Sequence, residues 1–96
     1  MSEATDVFVT PEAVSWYFCT LVRMVAEKLH LPNEAWRAPH ELLAEIRANR
    51  PEVAAAFEAL IVSHSDWALA VRGVDGTSNA KWVEREQCRK KLLGLL

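Results

Sequence analysis

The chain has few of the residues that build disulfide frameworks, metal sites or phosphate-binding loops. Its two cysteines, Cys19 and Cys88, lie far apart in a chain of 96 residues, whereas a disulfide framework or a cysteine-ligated metal site needs several closely spaced pairs. The histidines show no shared metal-ligand spacing, and the three glycines do not form a glycine-rich phosphate loop. We therefore expect no structural disulfide, no metal ion and no cofactor.

Long apolar runs and a large excess of charge are also absent. No apolar stretch approaches the roughly 18 uninterrupted residues of a transmembrane helix. The first residues, Met-Ser-Glu-Ala-Thr-Asp, lack the basic and apolar segments of a signal peptide. The net charge of −2 does not mark the whole chain as a nucleic-acid or membrane binder. We expect a soluble, cytoplasmic protein that does not enter membranes.

What the chain does have is enough apolar surface for one core. Apolar residues make up 51% of the sequence and charged residues 25%, which is typical of a globular protein and not of a disordered one. A length of 96 residues is that of one domain, so we predict a single helical domain over residues 1–96.

A long first helix, predicted over residues 11–31, is the segment around which the rest is organised. Thr10 is a suitable N-cap and Pro11 a suitable first helical residue, while Pro32 is expected to end the helix. Apolar side chains cover most of the helix circumference, so we expect this helix to lie at the centre of a bundle. Its core face consists of Val14, Phe18, Leu21, Val22, Val25 and Leu29.

Three further amphipathic helices are predicted at residues 39–49, 51–72 and 78–94. The third helix keeps its apolar stripe in phase throughout, which favours one continuous helix, although residues 63–66 could instead divide it into two. The last helix carries apolar residues mainly near its ends, so we expect it to pack least well. The stripe of the third helix consists of Val53, Phe57, Leu60, Ile61, His64, Trp67, Ala68 and Val71.

Two segments lie outside these helices. Residues 1–9 are predicted to form a loose arm, with Val9 packing on Val14 across the helix start. Residues 32–38 are a connector, in which Trp36 is expected to plug one end of the bundle. The sequence therefore predicts an all-α fold, a small bundle of four main helices with a short N-terminal arm.

One stretch contains the residue types of a hydrolase triad. Ser63, His64, Ser65 and Asp66 are consecutive, but neighbours on a helix point about 100° apart and cannot converge as a triad must. His64 lies within the core stripe, which favours a hydrogen-bonded core histidine over a pH-sensitive or catalytic one. We predict no catalytic residue and no enzymatic activity.

Two apolar seams lie off the predicted core faces. On the first helix, Tyr17, Met24 and Lys28 share one flank, and Trp16 lies in the middle of the polar stripe. On the third helix, Val62 and Leu69 are seven positions apart on the side expected to face water. A bundle of this length has few elements left to cover both seams. We therefore predict partner-binding surfaces at Trp16, Tyr17, Met24 and Lys28 and at Val62 and Leu69.

The only basic patch is on the last helix. Residues 1–77 carry six Lys/Arg and eleven Asp/Glu, net −5, and residues 78–96 carry five and two, net +3. Cations near a helix C-terminus compensate its dipole, but they also suit contact with phosphate or an acidic surface. The predicted basic contact residues are Arg85, Arg89, Lys90 and Lys91.

The composition favours a binding protein without enzymatic activity. Four tryptophans and excess apolar helix surface are typical of interfaces. We expect a small inhibitor or adaptor that blocks a larger protein or complex, of the kind exemplified by immunity proteins, anti-activators and phage or mobile-element antagonists such as anti-CRISPR proteins. A second copy of the chain is another candidate partner. The alternative is a nucleic-acid-associated regulator that uses the basic last helix, although the helix at 51–71 has no Lys or Arg with which to read DNA.

Overall fold

The computed structural model of the protein describes residues 11–73 and 76–96. Four α-helices occupy this part of the chain, and no strand does, which confirms the predicted all-α bundle. The predicted arm at residues 1–9, the Thr10 N-cap and the contact between Val9 and Val14 fall on or depend on residues outside the described ones. The helices are α1 (Pro11–Lys28), α2 (Pro39–Asn49), α3 (Pro51–Gly73) and α4 (Ser78–Leu95).

Helix α1 ends earlier than predicted, at Lys28 instead of residue 31. The backbone N–H of Leu31 donates to the carbonyl of Ala26 at 2.9 Å, and that of His30 donates to Glu27 at 3.0 Å. This is the bond pattern of a Schellman motif. His30 occupies its left-handed position, with φ of 58°, where histidine is one of the more tolerated non-glycine residues. The helix is therefore ended by its own capping motif before Pro32 is reached.

The connector after α1 is held by Arg23. Its guanidinium donates to four backbone carbonyls of residues 33–37, the shortest distance being 2.7 Å to the carbonyl of Arg37. Trp36, in the middle of this segment, is 80% exposed. The prediction that Trp36 plugs the end of the bundle is therefore wrong, because the polar side chain of Arg23 anchors this segment.

A single residue, Arg50, separates α2 from α3. Its N–H donates to the carbonyl of Ile46 at 2.7 Å, and its own carbonyl accepts from Val53 at 3.0 Å and from Ala54 at 3.1 Å. Arg50 thus closes one helix and opens the next. Helix α2 has the predicted bounds, and α3 is one continuous helix through residues 63–66.

Helix α3, and not α1, is the central helix. It packs against each of the other three helices, whereas α1 packs only against α2 and α3. About half of the α3 circumference is buried, and many of its buried residues are alanine. Small side chains let neighbouring helix axes approach closely, so α3 accommodates α4 on one side and α1 with α2 on another. The prediction that α1 lies at the centre is therefore wrong.

Helix α4 makes the most extensive helix–helix interface of the described chain, with α3. It was expected to pack least well. Its inward residues are spaced four and three apart, as in a coiled-coil seam, but a buried charged residue, Arg85, occupies the middle of that seam. The four-and-three spacing of the inward residues is therefore not visible when only the apolar residues of α4 are considered. The seam consists of Lys81, Arg85, Cys88, Leu92 and Leu95.

The core lies where α1, α2 and α3 meet, with Leu92 joining from α4. Phe57 is its largest fully buried side chain, and the ring of half-buried Phe18 packs against it with centroids 5.4 Å apart. Most of the predicted α1 core face is buried or packed against this cluster. The fully enclosed residues include Val22, Val25, Ala26, Leu42, Ile46, Val53, Phe57 and Leu60.

We predict that Phe57→Ala lowers the free energy of unfolding by roughly 3–5 kcal/mol, because it removes a fully buried ring and leaves a cavity. The matched control is Val62→Ala on the same helix, which removes an exposed side chain and should change that free energy by less than about 0.5 kcal/mol. Urea denaturation followed by circular dichroism measures both. Similar losses in the two variants would contradict the described helix phase.

The strained residue at the end of α1 yields a stabilising substitution. His30→Gly should raise the free energy of unfolding by about 1 kcal/mol or less, since glycine adopts a positive φ without the steric cost. Gly76→Ala, at φ of 84°, should act in the opposite direction. Thermal melts of both variants measure the effects, and a destabilised His30→Gly protein would contradict the strain assigned to this position.

Candidate functional site

A group of polar and aromatic side chains, which ranges from the buried His64 and Arg85 to the exposed Trp82, joins α1, α3 and α4. Arg85, which is 9% exposed, lies at its centre, and we call the group the Arg85 cluster. Burying a guanidinium is costly unless it is hydrogen-bonded, so its partners decide whether the site is structural or available to a ligand. The cluster consists of Tyr17, His64, Trp67, Trp82 and Arg85.

Three groups of the chain accept hydrogen bonds from the Arg85 guanidinium. Nε donates to Nδ1 of His64 at 2.8 Å, Nη1 donates to the Glu86 carboxylate at 2.6 Å, and Nη2 donates to the hydroxyl of Tyr17 at 3.3 Å. No buried side-chain nitrogen or oxygen among the described residues lacks a partner. The cluster is therefore satisfied from within the chain.

Aromatic rings complete the surroundings of Arg85. Its Cζ lies 4.6 Å from the ring centroid of Trp82 and 5.3 Å from that of Tyr17, within the range of cation–π attraction. The Tyr17 and His64 rings stack at 4.2 Å with an interplanar angle of 16°. The Trp67 ring lies 5.1 Å from that of Trp82. The contacts fix the guanidinium on several sides.

Burial and charge both act on His64. Burial first, and then the positive charge of Arg85, lower the pKa of His64 from 6.5 to about 4. Because Nδ1 accepts a hydrogen bond from Arg85, the imidazole is neutral with its proton on Nε2. This arrangement matches the core histidine that the sequence favoured over the catalytic alternative.

The neighbours of His64 in sequence do not converge on it. The Ser63 hydroxyl donates to the carbonyl of Leu60 at 2.9 Å, and Asp66 is exposed. The only hydrogen bond described for the His64 ring is to Arg85. These three residues therefore do not form the nucleophile, base and acid arrangement of a triad.

The predicted basic patch on α4 is smaller than expected. Arg85 is buried inside the bundle, so assigning it to a partner-binding surface was wrong. Arg89 is half-buried and its guanidinium contacts the Glu86 carboxylate at 3.1 Å, an interaction that lowers the pKa of Glu86. Lys90 and Lys91 are exposed, and the paired Arg89 side chain is 39% exposed.

The predicted surface on α1 is divided in the same way. Tyr17 and Met24 are half-buried and pack against the core, so the chain's own helices largely cover this flank. Trp16 is 68% exposed and Lys28 is exposed. Trp16 lies on the side of α1 away from the core, in the polar stripe where the sequence placed it.

The predicted seam on α3 is exposed. Val62 is 60% exposed and Leu69 is 57% exposed. Val62 lines an open groove between α3 and α4, and Leu69 lies one helical turn beyond the last α3 residue of its lining, Asp66. We call this the α3–α4 groove; its volume is about 460 Å³. Val83 of α4 is also exposed, at 54%. The groove is lined by Glu58, Ala59, Val62, Ser63, Asp66, Glu84, Gln87 and Cys88.

Of the two residues predicted for this seam, Val62 lines the groove and Leu69 does not, and none of the residues that line its α4 side was predicted. Val62 and Leu69 stood out because they are apolar and seven apart. The α4 side is made of polar residues and Cys88, which gave no apolar pattern. A spacing signal was nevertheless present on α3, because the exposed residues Ala55, Ala59, Val62, Asp66 and Leu69 are separated by four and three positions in turn. Ala59, Val62 and Asp66 of this second stripe line the groove.

The described residues were also compared with the requirements of a metal site and of a membrane-spanning helix. Within residues 11–73 and 76–96, no three histidine, cysteine or acidic side chains are grouped so that they could hold a metal ion. None of the helices there is both long and apolar enough to cross a membrane.

Comparisons with known proteins identify no relative. No protein-family model matches the chain, and neither a curated protein nor a solved structure matches it.

The low pKa of His64 predicts acid sensitivity. Below pH 6.5 the unfolded chain binds a proton at His64, while the folded protein does not do so until about pH 4. Stability is therefore fully present above pH 6.5 and falls towards pH 4, by about 2–3 kcal/mol in total. Urea denaturation at a series of pH values measures this loss.

His64→Asn is the matched control, because the asparagine Oδ1 occupies about the position of Nδ1 and keeps an acceptor for Arg85, but it does not titrate. Its stability should change less between pH 6.5 and 4.5, the range above the ordinary pKa of Glu86. His30 and His40 remain in both proteins, so the difference reports His64 alone. Equal pH dependence in the two proteins would contradict the assignment.

Proposed function

We propose that this protein is a non-enzymatic binding module that uses the α3–α4 groove to bind another protein. The observation that carries the proposal is that Val62 is exposed in the lining of the groove, while Leu69, one turn beyond the lining residue Asp66, and Val83, next to the lining residue Glu84, are exposed as well. Single exposed apolar residues are ordinary, but a group of them around a concave surface is typical of an interface. The proposal is that this surface is the centre of the contact.

The mode of action that fits a chain of this size is steric. With 96 residues, the protein is large enough to cover a functional surface of a larger partner and small enough to add little else. An inhibitor of this kind lowers the activity of its partner, whereas an adaptor joins it to a third protein.

We place the protein in the reducing cytoplasm, which agrees with two free thiols, Cys19 and Cys88.

The nucleic-acid alternative has weaker support. Its predicted contact surface needed four basic side chains on α4, but Arg85 is buried and Arg89 is paired with Glu86. Lys90 and Lys91 are the exposed cations that remain from that set. Two phosphate contacts supply little of the electrostatic free energy on which nucleic-acid binding depends.

The test compares capture of partner proteins by the wild-type chain and by a Val62→Glu, Leu69→Glu variant. Both positions are exposed, so the variant should keep its helix content and melting temperature. It should lose the partner, because burying two unpaired carboxylates in an interface is costly. Immobilised protein, lysate of the source cells and quantitative mass spectrometry give the measurement.

The matched control is Ala44→Glu, Ala48→Glu, which adds the same two charges to exposed positions of α2. This control should retain the partner captured by the wild type. Retention of the same partner by the groove variant, or loss of it from both variants alike, would rule out the α3–α4 groove as the binding surface.

A further inference from the structure

We propose that the occupant of the α3–α4 groove is an amphipathic helix of a partner protein whose apolar edge is flanked by lysine or arginine. This inference rests on the proposed function and adds the chemistry of the partner. Three features of the groove carry it: its shape, the size of the side chains on its floor and the charge of its walls.

The shape suits a helix. Arg85 lies beside His64 and Trp82 beside Trp67, so α3 and α4 run antiparallel, and residues of both helices line the groove. On α3 the lining residues run from Glu58 to Asp66, about 12 Å or just over two helical turns, and on α4 they run from Glu84 to Cys88, about one turn. A third helix lying between two others is a common mode of peptide recognition, in which residues spaced three or four apart fill the groove.

Small side chains make close approach possible. Ala59 and Ser63 on α3 and Cys88 on α4 line the groove between its walls. The distance between packed helices depends on the size of the side chains at the contact. An apolar side chain of the incoming helix can therefore enter between Val62 and Cys88 without displacing a large residue.

The walls are acidic. The lining includes the three carboxylates of Glu58, Asp66 and Glu84, and no lysine or arginine. Glu58 pairs with Arg47 and Glu84 with Lys81 at 3.7 Å, and neither cation lines the groove. Asp66 has no ion pair among the described residues. Cations on both edges of an incoming helix would meet these carboxylates, which gives charge complementarity.

The same charges disfavour a second copy of the chain as the occupant. Pairing two copies through Val62 about a twofold axis places either like residues together or Glu58 opposite Asp66 of the other copy. Acid meets acid in both arrangements, and like charges across an interface are unfavourable. An acidic groove also repels the phosphates of nucleic acid. A basic helix avoids both the acid–acid contacts of a second copy and the repulsion of phosphates.

Two synthetic peptides of about 20 residues, long enough for appreciable helicity, test the charge preference. Both carry the same leucine edge, spaced three and four apart, in an alanine-rich host. One has lysine at the flanking positions and the other has glutamate. Fluorescence anisotropy with the full chain should show binding of the lysine peptide, weakened by salt, and about tenfold weaker binding of the glutamate peptide. Amide shifts in NMR spectra should change at Val62, Ser63 and Gln87.

Charge reversal in the protein is the second arm. Asp66→Lys, Glu84→Lys should reverse the preference between the peptides. The control Glu27→Lys, Glu41→Lys changes the net charge equally at exposed positions outside the groove and should leave the preference unchanged. Equal binding of the two peptides, no binding of either, or an unchanged preference after reversal at residues 66 and 84 would each overturn the proposal.

The outcome is separable from that of the proposed function. If Val62→Glu, Leu69→Glu abolishes capture of the cellular partner while the charge-reversed protein captures it normally, the groove binds a partner that is not basic. In that case this inference fails and the proposed function stands. Self-association in light scattering that is lost in a Val62→Glu variant would assign the groove to a second copy and would also overturn the inference.

Discussion

A charged side chain lies in the middle of the α3–α4 interface, and the surrounding structure depends on how it is accommodated. Arg85 would be expensive to bury alone. Hydrogen bonds to His64, Glu86 and Tyr17, with cation–π attraction of about 0.5–2 kcal/mol from nearby rings, offset that expense. These partners come from α1, α3 and α4, so one guanidinium sets how three helices are arranged around it.

The helices were predictable because local rules decide them. Proline at positions 39 and 51, and the apolar periodicity of α3, fixed the bounds of α2 and α3 to within a residue. The end of α1 was missed because the capping conformation of His30 depends on φ, which has no strong sequence signal. The extensive packing of α4 against α3 was missed because an arginine in a sequence is expected at the surface unless its hydrogen-bond partners are known.

The candidate site was predicted only in part, for the same physical reason. Val62 and Leu69 could be placed on an outward face from spacing alone, but the opposing wall depends on how α4 lies against α3. Tyr17 and Arg85 were assigned to surfaces although Tyr17 is half-buried against the core and Arg85 is only 9% exposed. Amphipathic side chains such as these bury their bodies while their polar tips find partners. Sequence patterns classify them poorly as inside or outside.

The contact between Tyr17 and Arg85 joins residues far apart in sequence, so forming it has a cost in loop-closure entropy. No Cα atoms of α1 and α4 in the described chain come within 8 Å of each other, so the two helices meet only through long side chains. Most other helix contacts join neighbours in sequence, a local topology associated with folding in microseconds to milliseconds. The Tyr17–Arg85 hydrogen bond spans 68 positions. Each doubling of loop length adds only about 0.6 kcal/mol of closure entropy, so bringing Tyr17 to Arg85 costs about 2 kcal/mol more than closing a connection of roughly 8 residues.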